Sequence, residues 1–229
     1  MNNEQDWKAV ITGDIISSSK LRQVGRVALY QAFSDVSNLL KQNYPLNVIH
    51  DLSNFRGDSW QAVCMRPEKS LEIGFFIRTY FRFMFKADKL DTRFAIGIGS
   101  TNFIPEENVS AGDGEAYTRS GHMLDTMTIE RMAVILPPES GEVLQSAIDG
   151  MMGALDFIIT SWSPSQAQAV FLALHGYKQE EIASRWSPAP ITQASVSAIL
   201  KTAGWVHVKK SLAAFEKLVI GASAPQSSE

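Results

Sequence analysis

The chain has one cysteine, no unbroken apolar run near the roughly eighteen residues of a membrane span, and no basic-then-apolar segment at its start. A lone Cys64 excludes an internal disulfide and cannot by itself hold a metal. It falls in the apolar stretch Ala62-Val63-Cys64-Met65, where an inert buried thiol is expected rather than a nucleophile. Strong charge of one sign is missing too, so the average composition does not announce a nucleic-acid or membrane-surface protein. These absences point to the cytoplasm, with no membrane partner.

What is present is a globular composition: 45% hydrophobic and 20% charged residues over 229 positions, enough for one or two domains with a real core. The net charge of −3 conceals a division. From Ser163 onward there are six Lys or Arg against four Glu, whereas the first 162 residues carry 15 basic and 20 acidic groups. A mildly basic C-terminal piece on an acidic body permits contact with DNA without demanding it.

Two Gly-Asp pairs carry the most information. Gly13-Asp14 ends the apolar run Ala9-Val10-Ile11-Thr12, which reads as a buried strand. Gly57-Asp58 lies between Phe55 and the alternating stretch Ser59-Trp60-Gln61-Ala62-Val63, which reads as a β-hairpin turn. A helix over about 21–42 separates the two, and hairpin strands are expected at about 47–55 and 60–65. Strand, helix and hairpin make the first half of a βαββαβ, ferredoxin-like unit, in which both aspartates reach one end of the sheet. Neighbouring carboxylates repel unless a cation sits between them, and Mg²⁺ or Mn²⁺ is the expected cation. Ordinary turn chemistry is the competing explanation.

The second half follows: a helix at about 69–87, an alternating strand at 92–99, a helix from near Gly114, a strand at 131–136 and a helix at 142–159. The helix at 69–87 carries Phe75, Phe76, Tyr80, Phe81, Phe83 and Phe85 on more than one side, which suits a deep core or a homodimer contact. Gly97 and Gly99 share one strand face, where a ligand or another backbone can come close. The expected fold class is therefore α/β: an antiparallel ferredoxin-like sheet domain over residues 1–162 and an all-α module over 163–220. A disordered tail is expected over 221–229.

In the all-α module, helices are expected at 166–174, 179–186, 193–201 and 208–219. Ile182 and Ala183 packing on Val196, Ile199 and Leu200 fits a helix-turn-helix crossing. Thr192 is the expected N-cap of a recognition helix that presents Thr192, Gln193, Ser195 and Ser197, with Lys201, Lys209 and Lys210 for phosphates. The connection through Ser187-Pro188-Ala189-Pro190 is longer than usual, and a protein-interaction module remains an alternative.

Four segments in order, Ile11 to Lys20, Gly57 to Ala62, Arg93 to Gly99 and Gly112 to Tyr117, resemble the bacterial SatD family. The resemblance covers nearly the whole chain. It implies a nucleotidyl-cyclase-like palm followed by a helix-turn-helix. The Asp-Ile strand end, the Gly-Asp hairpin and the Gly-Ile-Gly strand are also similar to class III nucleotide cyclases and the GGDEF group. From that likeness, Asp14 and Asp58 would hold divalent ions against a triphosphate, with the Ile15 carbonyl as a further ligand. Ser17, Ser18, Ser19 and Lys20 would offer N–H groups, hydroxyls and a cation to phosphates, with Arg56 beside Gly57 as a phosphate contact. Asp113 would bind the base or cap the helix.

The chain departs from active class III cyclases at informative places. The lysine used against the base aligns with Asn54, and the supporting Asn and Arg align with Thr118 and His122. Imidazole is only partly cationic near neutral pH and lacks the fork of arginine, and Arg119 is one residue out of register. The first expectation is a cytoplasmic regulator whose palm binds metal and nucleotide and whose second domain binds DNA. An active cyclase or NTP-processing enzyme and a degenerate dimerisation scaffold are the alternatives.

Overall fold

The computed structural model describes residues 6–21, 23–55 and 57–224, with Lys20 and Val24 described by backbone alone. The sheet strands are β1 (Lys8–Ile16), β2 (Ser53–Phe55), β3 (Ser59–Cys64), β4 (Asp91–Gly99) and β5 (Met132–Ile135). The helices are α1 (Gln23–Asn43), α2 (Ser70–Met84), α3 (Glu115–Thr126), α4 (Glu142–Thr160), α5 (Pro164–Leu174), α6 (Gln179–Ser184), α7 (Gln193–Thr202) and α8 (Trp205–Ser223). The strand order is β2-β3-β1-β4-β5. β1 pairs antiparallel with β3 and β4, and β2 antiparallel with β3, but β5 runs parallel to β4. The sheet is therefore mixed, which corrects the wholly antiparallel expectation: β5 returns through the α3 crossover and so points the same way as β4.

Alternation along the strands separates two faces. Ala9, Ile11, Trp60, Ala62, Phe94, Ile96 and Ile98 pack with α1, α2 and α4, while Val10, Val63 and Ala95 meet α3. Gly97 makes the α3 contact possible, since a Cβ there would lie 2.3 Å from the Ala116 carbonyl oxygen. The backbone that approaches this glycine face is a helix. Gly13 makes room for Trp60 in the same way: an added Cβ would sit 2.5 Å from the indole.

The aromatic crowding of α2 has its explanation inside the chain. One side lies on the sheet, and the other takes Phe171 of α5 at ring separations of 4.9 Å from Phe76 and 5.5 Å from Tyr80. A single apolar cluster runs from the sheet through α2 into α5–α8. These rings are consequently buried, and a second copy has no access to most of them. The expected division between residues 162 and 163 falls in the link between α4, which ends at Thr160, and α5, which starts at Pro164.

Two segments differ from the sequence reading. Residues 47–52 are not strand, because the Ser37 hydroxyl accepts the Leu52 N–H at 3.0 Å and the Asn47 carbonyl accepts the Met65 N–H at 2.8 Å. Side-chain and loop bonds replace the ladder there. Helix α8 continues to Ser223, past the expected start of the tail, and 225–229 lie outside the described residues. Among the described residues, α4 has the length and apolar composition of a membrane span. It buries Ile148, Met152, Leu155 and Ile159 along one stripe, and its Asp156 pairs with Arg78.

Arg78, fully buried, joins these layers. It gives Nε and Nη2 to the two oxygens of Asp91 at 2.9 and 3.0 Å, and Nη1 to Asp156 at 2.8 Å. Arg82 and Arg131 add bonds to Asp91 at 2.6 and 2.7 Å. Burial alone would raise the Asp91 carboxyl, but Arg78 and its companions hold it below the usual carboxylate range. A depressed folded value stabilises the protein above the unfolded value near pH 4, and that stability is lost as pH falls through the folded value. Arg78→Met should cost about 3–5 kcal/mol in urea unfolding, because it removes the fully buried partner shared by Asp91 and Asp156. The double change Arg78→Met with Asp91→Leu should recover much of that loss and flatten the acid limb of the stability curve.

Candidate functional site

At the C-terminal end of β1 the chain enters a short turn through Ser17, which has φ 67°, then one turn of 3₁₀ helix over Ser18–Lys20 before α1. The hairpin turn, with Gly57 at φ 87°, comes up beside it. The Asp58 carbonyl accepts the Ile15 N–H at 3.0 Å, and its carboxylate accepts the Ser18 hydroxyl at 2.5 Å. Ser18, Ser19, Gly57 and Asp58 line a cavity of about 270 Å³ with Arg26 and Tyr30 of α1. Lys20's side chain and Arg56 lie outside the described residues. Two polar loops, one carboxylate, one guanidinium and one half-exposed aromatic ring thus face a common space, which suits a phosphate-bearing ligand.

Asp14 stands at the same end of the sheet but is committed elsewhere. Register puts it opposite Ser59 and Arg93, on the α3 face with Thr12 and Gln61. Arg93 Nε lies 3.0 Å from each Asp14 oxygen, and Nη2 lies 2.8 Å from Oδ2. Arg93 also donates to the Met127 carbonyl at 2.9 Å, which fixes the end of α3. The cation against Asp14 is therefore a guanidinium. Among the described residues no three His, Cys, Asp or Glu side chains gather as a metal-binding group. A divalent ion on Asp14 has to displace Arg93, so the expected two-aspartate centre is not the arrangement these contacts make.

Two of the remaining nucleotide candidates, Asp113 and Arg119, fall at the other end of the sheet. Arg119 donates to the Ile98 carbonyl at 2.7 Å, and Ile98 is five residues along β4 from Arg93, roughly 17 Å at strand rise. Asp113 accepts from Asn102 at 3.0 Å, and Gly114 rather than Asp113 is the N-cap of α3. His122 is exposed on α3. The structure does not bring Asp113, Arg119 or His122 to the Asp58 cavity. Arg93, Arg26 and Tyr30 went unforeseen. Alternation already put Arg93 on the face opposite Phe94, and the i, i+4 spacing of Arg26 and Tyr30 put them on one exposed side of α1.

Comparison with protein families matches residues 8–214 with the SatD family. The chain belongs to the SatD family. No curated protein matches it. The SatD match runs through α7 and into α8, so the C-terminal helices are part of the family's extent.

In this SatD-family chain, Ile182 and Ala183 of α6 join Val196 and Leu200 of α7 in the main core. Thr192 caps α7, with its hydroxyl accepting the Ser195 N–H at 3.1 Å. Gln193 and Ser195 are exposed, Ser197 is half-buried, and Lys201, Lys209 and Lys210 are exposed. Between Glu181 and Glu216 the sequence has no acidic residue, while Arg185, Lys201, Lys209 and Lys210 lie in that interval. A larger cavity of about 470 Å³ lies among α2, α6 and α8, but its Lys69 is already paired with Glu72 and Glu216. Burial pushes the Cys64 thiol up to about 12, which leaves it inert at neutral pH.

Removing Arg93 tests what holds Asp14. The pair is partly exposed, so Arg93→Gln should lose about 1 kcal/mol in urea unfolding. It should also loosen α3, read as faster amide exchange near Met127. An unchanged exchange pattern would mean that the pair does not fix the helix.

Proposed function

We propose that the chain is a cytoplasmic regulator in which a sheet domain binds a nucleotide and a C-terminal helix-turn-helix binds DNA. The single observation that carries the ligand half is the cavity that gathers Ser18, Ser19, Gly57 and Asp58 with Arg26 and Tyr30. Its polar groups match a nucleotide in kind: hydroxyls and a guanidinium for phosphate, and an aromatic ring for the base. Asp58, with the Ile15 carbonyl, is the group on this loop to meet the Mg²⁺ that accompanies a triphosphate; Asp14 joins only if Arg93 turns away. The strand order and the antiparallel pairing of β1 to β4 support a ferredoxin-like, palm-like reading of this domain.

Binding is favoured over turnover. Catalysis needs charge stabilisation that grows in the transition state, and the positions that align with the lysine, Asn and Arg of active cyclases are Asn54, Thr118 and His122. Asn54 donates to the Ser59 carbonyl within the hairpin, and Thr118 bonds back to Gly114 on α3. Titration of the full chain with each NTP and Mg²⁺ should give a saturable isotherm that Asp58→Asn weakens at least tenfold. The same mixtures should return intact nucleotide after hours. Rapid release of a cyclic product, lost in Asp58→Asn, would replace the binding reading with the enzymatic one.

The DNA half rests on α7 and the start of α8, a stretch of chain without acidic residues that carries exposed Gln193, Ser195, Lys201, Lys209 and Lys210. Gln193 at the capped N-terminus of α7 would meet base edges, and the lysines would meet phosphates. Duplex binding should weaken as salt rises. Lys209→Ala should lower affinity for all duplexes alike, whereas Gln193→Ala should act on a preferred sequence. Failure of the full chain to bind any duplex at low salt would move the module to protein interaction. A homodimer, which would present two such helices, belongs to the same proposal.

A further inference from the structure

A second cavity, of about 300 Å³, opens where the sheet domain meets the C-terminal helices and shares no lining residue with the first. It is lined by Arg82 at the end of α2, Lys86 and Lys89 in the following turn, Asp91 at the start of β4, Arg131 before β5 and Trp162 in the α4–α5 link. Four cations therefore face one carboxylate. That carboxylate is already saturated: Asp91 accepts from Arg78, Arg82, Arg131 and the Thr92 N–H. Lys86 and Lys89 are exposed and enter no ion pair among the described residues. Arg82 Nε is buried with no hydrogen-bond partner.

A helix C-terminus favours cations, which accounts for Arg82 and Lys86. It does not account for Arg131, which converges from another strand. The backbone adds a sign of its own. Among the described residues only Ser17 and Lys89 are non-glycine positions with positive φ, at 67° and 53°. Such strain collects at binding sites: Lys89 lines this cavity, and Ser17 directly precedes Ser18, which lines the first.

We infer that this second cavity binds a phosphorylated small molecule through its phosphates, as an effector site separate from the Ser18–Asp58 cavity. Lys86 and Lys89 offer point charge, Arg131 is partly exposed and bonds Asp91 through Nη1 alone, and about 300 Å³ lies at the small end of ligand pockets. The ligand would neutralise the two lysines that the protein leaves without an ion-pair partner among the described residues. It would also sit on Trp162, whose carbonyl is held by Arg82 and whose indole donates to the Ala203 carbonyl at 2.9 Å.

Calorimetric titration of the full chain with pyrophosphate tests this. Wild-type protein should show saturable binding at low millimolar concentration or below, and one site should persist in an Arg26→Gln background, where the first cavity has lost its guanidinium. The double change Lys86→Gln with Lys89→Gln, at exposed positions that leave the core intact, should weaken that persisting site at least tenfold. Equal binding in the lysine variant, or no binding in wild type, overturns the inference. Loss in Arg26→Gln alone would assign pyrophosphate to the first cavity and overturns it too.

Discussion

The Arg78–Asp91 pair is the contact on which the arrangement of layers depends. A guanidinium with no exposure cannot be left without partners, since burying an unpaired charge costs several kcal/mol even after relaxation. Arg78 meets that demand by reaching in three directions, to Asp91 on β4, to Asp156 on α4 and to Thr160 at 2.8 Å. Asp156 in turn receives the Arg131 N–H at 2.8 Å, just before β5. One side chain on α2 thus fixes the start of β4, the entry to β5 and the last turns of α4. Apolar packing supplies most of the favourable free energy, but the hydrophobic effect is non-directional and by itself indifferent to which way α4 lies over the sheet. The charged network is not indifferent, because each oxygen has one geometry that satisfies it.

The same contrast decides what the sequence reveals. Period-two alternation in β1, β3 and β4 and the long helical stripe of α1 were readable because each buries one face against a continuous core. The hairpin was readable from Gly57, whose positive φ the turn requires. The buried network was not. Arg78, Arg82, Asp91, Arg131 and Asp156 are spread over 79 positions and look like ordinary solvated charges until the fold brings them together. The pairing of Asp14 with Arg93 was hidden for the same reason. Strand register, not sequence spacing, puts those two residues side by side.

The candidate site shows where local reading succeeds and where it stops. The Ser17–Ser19 loop and the Gly57-Asp58 turn converge as the βαβ-hairpin order implies, since both sit at the same end of adjacent strands. Asp113, Arg119 and His122 do not join them. Asp113 precedes, and Arg119 and His122 lie on, a helix that crosses the other face of the sheet, and Gly97 and Gly99 serve that crossing: added Cβ atoms would strike α3 backbone in the first case and the Arg119 guanidinium in the second. A glycine pattern that suits a ligand equally suits a helix packed at backbone distance, and only the topology separates the two.

The link between α4 and α5 is where the two halves are mechanically joined. Trp162 is held at both ends, by Arg82 through its carbonyl and by the carbonyl of Ala203 through its indole. Ala203 is the C-cap of α7, the helix whose exposed side carries Gln193 and Ser195. A second tie runs from Lys69 at the start of α2 to Glu216 on α8. Both ends of α2 are therefore fastened to the C-terminal helices, while its middle is wedged between the sheet and Phe171. A helix clamped in this way moves as a unit or not at all, because close-packed interiors shift between discrete arrangements rather than deforming smoothly. Contacts run without a break from Asp91 through Arg82 and Trp162 to Ala203 at the end of α7. If the sheet domain regulates α7 as proposed, the end of α2 is the contiguous path that a two-state shift would use.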